Sequence, residues 1–155
     1  MNTPPTASVE MLIRRPAADV FEAFVNPEIT SKFWFSAGSA RLEAERSVTW
    51  TWESYGFSVD VLVRAVEPNT RILVEWNAYG TPTPIEWTFR ARDDGTTFVT
   101  VTNRGFPGTD EEAIATALGA TEGFAFVLAG AKAFLEHGIE LGLVPDRFPD
   151  GMPSA

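Results

Sequence analysis

The stretch that decides the fold is Thr109–Gly138, TDEEAIATALGATEGFAFVLAGAKAFLEHG. Thr109 and Glu112 have capping-box spacing, and Asp110, Glu111 and Glu112 place three acids in the first turn, where the helix dipole favours negative charge. Gly138 is a natural stop. The pattern predicts one helix over Asp110–His137, ~40 Å long. Ile114, Ala117, Leu118, Thr121, Phe124, Leu128, Ala131 and Leu135 follow one face of it. That face needs an apolar partner, and the partner must come from upstream.

Upstream, from residue 40 to 104, the apolar period changes to two. Val48, Trp50 and Trp52 alternate with threonines. Phe57, Val59, Val61, Val63 and Ala65 form a second set, and Ile72, Val74 and Trp76 a third. Ile85, Trp87, Phe89 and Ala91, then Val99, Val101 and Asn103, complete the series. EPNT at 67–70 and DDGT at 93–96 are turn sequences between runs. An antiparallel sheet with one dry face follows. Before it, Ser8–Arg14 alternates as a first strand. Val20, Phe21 and Phe24 mark a short helix opened by Pro16, and Asn26 caps a second short helix running toward Trp34.

The fold expected is α+β: a curved antiparallel sheet of six or seven strands wrapped on a long C-terminal helix, with two short helices after the first strand. It reads as a single domain over 1–155, with a core at about 8–140 and extended tails at 1–7 and 145–155.

Charge narrows the partners. Lys and Arg number 12 against 21 Asp and Glu, a net charge of −9. Nucleic acid and anionic membranes are not expected. No run approaches the roughly 18 apolar residues of a membrane span, and the start lacks the pattern of a secretory signal. A cytoplasmic location is the expectation. There is no cysteine, which excludes thiol chemistry. Exposed aromatics or strand edges would support a homodimer.

Trp50, Trp52, Trp76 and Trp87 all lie on the apolar phase of their own runs. They should therefore converge between sheet and helix, and large rings at a flared end tend to enclose a cavity. Aromatics at strand spacing are also ordinary core residues, although an indole N–H seeks a partner when buried. Gly119, Gly123 and Gly130 interrupt the long helix at about 1 kcal/mol each relative to alanine. They serve either close approach to the sheet, a kink, or room for a ligand.

IRRPAADVFEAFVNPEITSKFW (13–34) resembles the opening of the START-like, helix-grip superfamily, often called SRPBCC. TTFVTVTNRGF (96–106) and GFAFVLAGAKAFLEHG (123–138) resemble the end of its branch homologous to the activator of the ninety-kilodalton heat-shock protein ATPase. The likeness covers residues 8 to about 140. It implies a cavity between sheet and helix that binds lipids, sterols, hormones or polyketides, with a minority of members acting as cyclases. On the family pattern, Trp34 matches the tryptophan after the first helices, Gly105 and Phe106 the turn before the last helix, and Phe124 a position where relatives carry tryptophan. LEAERS at 42–47 departs from the usual glycine-rich turn.

No motif specifies a reaction. The single histidine, His137, sits at the end of the long helix, where a solvated role is expected. No metal and no cofactor is expected, and the catalytic residues are unknown. Asn103, in phase with Val99 and Val101, and Tyr55, beside the tryptophans, could orient a ligand. The candidate ligand-binding set is Trp34, Trp50, Trp52, Tyr55, Phe57, Trp76, Trp87, Asn103, Phe106, Phe124 and Leu128. The leading expectation is binding of a small hydrophobic or aromatic ligand. The alternatives are a polyketide-cyclase type of enzyme in the same cavity, or a co-chaperone-like interaction module.

Overall fold

The computed structural model describes residues 3–152. The expected tails reach beyond both limits, and residues 1–2 and 153–155 lie outside the described residues. The chain runs β1 (Ala7–Ile13), α1 (Ala17–Val25), α2 (Pro27–Thr30), β2 (Ala37–Gly38), β3 (Ser47–Trp52), β4 (Phe57–Glu67), β5 (Arg71–Trp76), β6 (Thr83–Ala91), β7 (Thr97–Asn103), α3 (Asp110–His137) and α4 (Leu143–Arg147). A 3-10 turn at Glu53–Tyr55 joins β3 to β4. The strands form one seven-stranded antiparallel sheet in the order β1-β7-β6-β5-β4-β3-β2. It curls around α3 in a helix-grip arrangement, as the sequence led us to expect.

Local signals explain most of this. The Thr109 side chain accepts from Glu112 N–H, and the Glu112 carboxylate accepts from Thr109 N–H, closing the capping box of α3. Gly138 ends the helix in the left-handed region at φ 68°, where a Cβ would be strained. Asn26 Oδ1 accepts from Glu28 N–H to start α2. The dry face of the sheet carries Trp50 and Trp52, Val59 and Val61, Val74 and Trp76, Ile85 and Trp87, and Val99 and Val101, all buried.

The structure differs from the expected pattern in four places. Helix α3 buries Ala113, Ala117, Ala120, Phe124, Val127, Leu128, Gly130 and Ala131, so Ala117, Phe124, Leu128 and Ala131 of the expected face are inside, whereas Ile114 and Leu118 are 50% and 67% exposed. The helix packs chiefly on edge strand β1 and little on β7. Its first half buries only Ala113, Ala117 and Ala120, and the branched side chains one position round point outward. In β4 a bulge between Val63 and Ala65 shifts the register, so Val66 rather than Ala65 pairs with Ile72. Gly119 and Gly123 face open space, so their missing side chains leave no room inside, and Gly130 alone makes a close approach. The segment read as an extended C-terminal tail begins in helix α4.

By length and composition alone, α3 could cross a membrane.

Candidate functional site

The centre of the molecule is built by the turn after α2. Thr30 Oγ1 donates to the carbonyls of Ala23 at 2.5 Å and Asn26 at 3.0 Å, locking α2 onto α1. Trp34 N–H donates to Thr30 O at 3.0 Å and continues the turn. Across from it, Gly130 of α3 lets the backbone of Phe33 come close: a Cβ on Gly130 would lie 3.1 Å from Phe33 Cβ. These contacts drive the Trp34 side chain between α3 and the concave sheet.

Trp34 lies at the hub of an aromatic cluster. Its ring centroid is 4.8 Å from that of Trp50, 5.9 Å from Trp87, 5.8 Å from Phe124, 6.0 Å from Trp52 and 6.1 Å from Trp76. Phe35 stacks on Trp50 at 5.2 Å with an interplanar angle of 25°. The rings converge as expected, but the hollow expected at their centre is occupied by Trp34 itself. Sequence reasoning had placed Trp34 in the lining. In the structure its ring spans the gap that the strand indoles leave between them.

The cluster is not fully satisfied. Trp76 Nε1, Trp87 Nε1 and Asn103 Oδ1 are buried and find no hydrogen-bond partner. Their side chains belong to residues 8%, 1% and 0% exposed, so bulk water does not compensate. Asn103 Nδ2 is well used, donating to Thr83 Oγ1 at 3.0 Å and Pro84 O at 2.9 Å. Those two bonds fix the amide and leave its oxygen free. Thr83 is in turn the cross-strand partner of Trp76, so the free oxygen and that indole belong to one end of the sheet. Tyr79 and Phe106 form the rim there, with Tyr79 5.9 Å from Trp76 and 5.6 Å from Phe106. Burial pushes the Tyr79 hydroxyl up to about 12, so at neutral pH it keeps its proton and can donate.

A cleft of about 360 Å³ opens on the other side of Trp34. Phe33, Trp34, Phe35 and Trp52 line it from below, and Leu141, Leu143, Val144 and Pro145 cover it. Lys32, Glu53 and Glu140 stand at its margin. The cover is tied down from outside. The Tyr55 hydroxyl donates to Val144 O, Arg147 pairs with Glu122 of α3, and the Arg147 guanidinium lies 4.2 Å over the Phe148 ring. Burial raises the Tyr55 pKa, which keeps this hydroxyl a donor.

Of the expected residues, Trp34, Trp50, Trp52, Trp76, Trp87 and Phe124 come together, Leu128 is buried in the same core, and Asn103 is buried on the same sheet face. Tyr55 is instead the clasp for the C-terminal segment. Phe57 is 40% exposed and touches the outer side of Trp52. Phe35, Tyr79 and the cover at 141–145 were missed, because they lie in segments without a period. Only the aromatic run FWF at 33–35 could have flagged Phe35.

Residues 14–136 match the family model described as "Activator of Hsp90 ATPase homolog 1-like protein", AHSA1. The chain belongs to the AHSA1 family. Among solved structures it is similar to protein SSP2350 from Staphylococcus saprophyticus, at 34% identity and a TM-score of 0.75, covering 88% of this chain and 95% of that one. It shares its fold with DynU16, a protein of the dynemicin biosynthetic locus, at 22% identity and a TM-score of 0.76, covering 89% of this chain and 49% of DynU16. The Aha1 protein of Colwellia psychrerythraea, a dimer in solution, matches at 19% identity and a TM-score of 0.71, over 86% of this chain and 97% of that one. Comparison with proteins of curated function finds no match. The AHSA1 assignment matches the resemblance read from the two ends of the sequence.

Proposed function

We propose that this AHSA1 protein binds a small aromatic or apolar molecule between the sheet and α3. The observation that carries the reading is the set of three orphan polar atoms, Trp76 Nε1, Trp87 Nε1 and Asn103 Oδ1, inside an otherwise apolar cluster. Each buried unpaired group costs about 1–3 kcal/mol. Two donors and an acceptor set in aromatic walls suit a ligand that carries oxygen on a flat carbon frame. A cleft of about 360 Å³ beside the cluster is of the size that small molecules use. A structural relative from a biosynthetic locus is in keeping with a small-molecule role.

The cyclase-type alternative would use the same space, working by its shape and by hydrogen bonds such as those of Asn103. The unpaired donors and acceptor call for a bound partner whether or not a reaction follows, so binding is the leading reading. The exposed Ile114 and Leu118 support self-association alongside it, which sedimentation would detect as twice the 17.0 kDa chain mass.

The test is a thermal-shift screen with polyphenols, sterols and fatty acids, confirmed by native mass spectrometry. A ligand at 100 times its dissociation constant adds about 2.7 kcal/mol, or roughly 5–10 °C for a domain of this size. No shift with any of the three classes would defeat the proposal.

A further inference from the structure

Beyond residue 136, where the family match stops, the chain turns back and covers the cleft beside Trp34. It leaves α3 through Gly138 at φ 68° and enters α4 through Gly142 at φ 66°. Both lie in the left-handed region, which glycine adopts without strain. Ile139–Leu141, between them, have no regular structure. A short irregular link between two such turns can absorb the backbone rotation of a hinge. The segment is also lightly held. No residue of α4 is fully buried, and Val144 is its one apolar contact with the core. The other ties are the Tyr55 hydroxyl to Val144 O, Phe148 edge-on to Tyr55 at 6.2 Å between centroids, and Arg147 to Glu122. The Arg147 and Glu122 side chains are 42% and 43% exposed, so water and salt compete for that pair. Beneath lie the Trp34 and Trp52 rings, which line the cleft and are themselves buried. Segments with few buried contacts and exposed ties are those that open locally while the rest stays folded.

We propose that residues 139–148 form a hinged strap over the mouth of this cleft, turning about Gly138 and Gly142 and held shut by two latches of different kind. One latch is the neutral hydrogen bond from Tyr55 to Val144 O, and the other is the Arg147–Glu122 ion pair. Closed, the strap covers Trp34 and Trp52. Open, it leaves those rings facing solvent and the cleft free to exchange its contents. The two latches respond differently to conditions. Salt screens the exposed ion pair and leaves the neutral bond as it is, so the open population rises with ionic strength. Gating of this kind requires no particular occupant, and it stands or falls separately from ligand binding.

The experiment compares the native protein with Tyr55→Phe and Glu122→Gln, all full-length, at about 0.1 M and about 1 M salt, between which the screening length falls from about 10 Å to about 3 Å. Amide hydrogen exchange reports the opening of α4, with rates taken relative to unprotected peptide. Broadening of the indole N–H signals by a soluble neutral nitroxide reports access to the cleft. At low salt Tyr55→Phe should lower the protection of α4 about two- to tenfold, and Glu122→Gln about two- to fivefold, with the protection of α3 unchanged in both. High salt should lower the protection of α4 in the native protein and in Tyr55→Phe, but not in Glu122→Gln. The Trp34 and Trp52 signals should broaden in step with α4 exchange, whereas Trp87, 1% exposed and outside the cleft lining, stays sharp. Exchange of α4 at the same rate as α3 in every protein would mean that the strap never opens by itself, and would overturn the proposal. So would an α4 that is unprotected in the native protein, because no closed state then exists. Faster α4 exchange without broadening at Trp34 and Trp52 would show fraying that leaves the cleft shut, which also defeats it. Salt independence of the native protein would remove the ionic latch. No ligand enters these measurements, so failure here leaves the reading of the previous subsection standing, and a blank thermal-shift screen leaves the strap standing.

Discussion

Replacing the three glycines of α3 by alanine should separate one that is structural from two that are not. A glycine inside a helix costs about 0.8–1 kcal/mol relative to alanine, through lost backbone entropy. At Gly119 and Gly123 an added Cβ meets nothing within 4 Å. Gly119→Ala and Gly123→Ala should therefore each stabilise by about 1 kcal/mol, a rise in Tm of roughly 2–4 °C. At Gly130 the Cβ would lie 3.1 Å from Phe33 Cβ and 3.4 Å from Phe33 O. Carbon pairs prefer about 3.5–4.0 Å, and both neighbours are fixed to the backbone, so they cannot swing aside. Overpacking of this kind costs about 1–3 kcal/mol, which cancels or exceeds the helical gain. Gly130→Ala should be neutral or destabilising by up to about 2 kcal/mol.

The assay is urea unfolding of the single variants, with the slope checked to be unchanged. A second consequence concerns function. Since Gly119 and Gly123 face outward, alanine at either should leave the affinity for the proposed ligand unchanged. Gly130→Ala should alter it, because the Phe33 backbone carries Trp34. A loss of 1 kcal/mol or more at Gly119 or Gly123 would refute the orientation given to α3. A gain at Gly130 equal to the others would refute the close approach.

Other outcomes can be checked directly. The Glu136 residue is half-buried; desolvation alone would raise its pKa, but hydrogen bonds from Lys132 Nζ at 2.7 Å and Arg14 N–H at 2.8 Å outweigh this and lower it. A carboxylate with a lowered folded pKa contributes stability above its unfolded value, lost as pH falls through the folded one. Tm of the native protein should thus drop more steeply below pH ~4.5 than that of Glu136→Gln, which itself should lose about 1–3 kcal/mol at pH 7. Tyr55→Phe removes the bond to Val144 O, and should speed amide hydrogen exchange in residues 143–148 while costing about 1 kcal/mol or less globally. Asn103→Ala strips Thr83 Oγ1 and Pro84 O of their donor, and urea unfolding should show a loss of about 1–3 kcal/mol. Arg41→Ala breaks the exposed pair with Glu22, and should cost under about 1 kcal/mol, an effect that fades in high salt.

What the sequence disclosed was what depends on neighbours in the chain. The capping box and Gly138 bound α3 to its observed limits because both are local hydrogen-bond devices. The alternation of Trp50 and Trp52, or of Ile85 and Trp87, fixed their facing because the pleat has a period of two. What stayed hidden depends on distant partners. Which stripe of α3 is buried depends on how the helix docks, chiefly on edge strand β1, and the sequence does not show that Ala113 goes inside and Ile114 out. The bulge in β4 answers to β5. Trp34 was recognisable as a family position, yet its place at the hub depends on Gly130 almost a hundred residues later. The cover at 141–145 is held by Tyr55 and Glu122, and no periodicity announces such clasps.

The energetics of the cluster argue that its indoles are kept for their nitrogens. Phenylalanine at positions 76 and 87 would supply aromatic contact without a polar group to bury. Tryptophan there leaves two N–H groups unpaired, about 2–6 kcal/mol in all, against a total stability of only about 5–15 kcal/mol. Packing offsets part of this, because a buried indole fills more volume than a phenyl ring and a smaller ring would leave a cavity. Asn103 repeats the pattern at the same end of the sheet: two bonds hold its amide so that the oxygen is aimed and unused. A core selected for stability alone would have replaced such groups singly. Three together on one buried sheet face are what a fold would retain if a guest completes the hydrogen bonds.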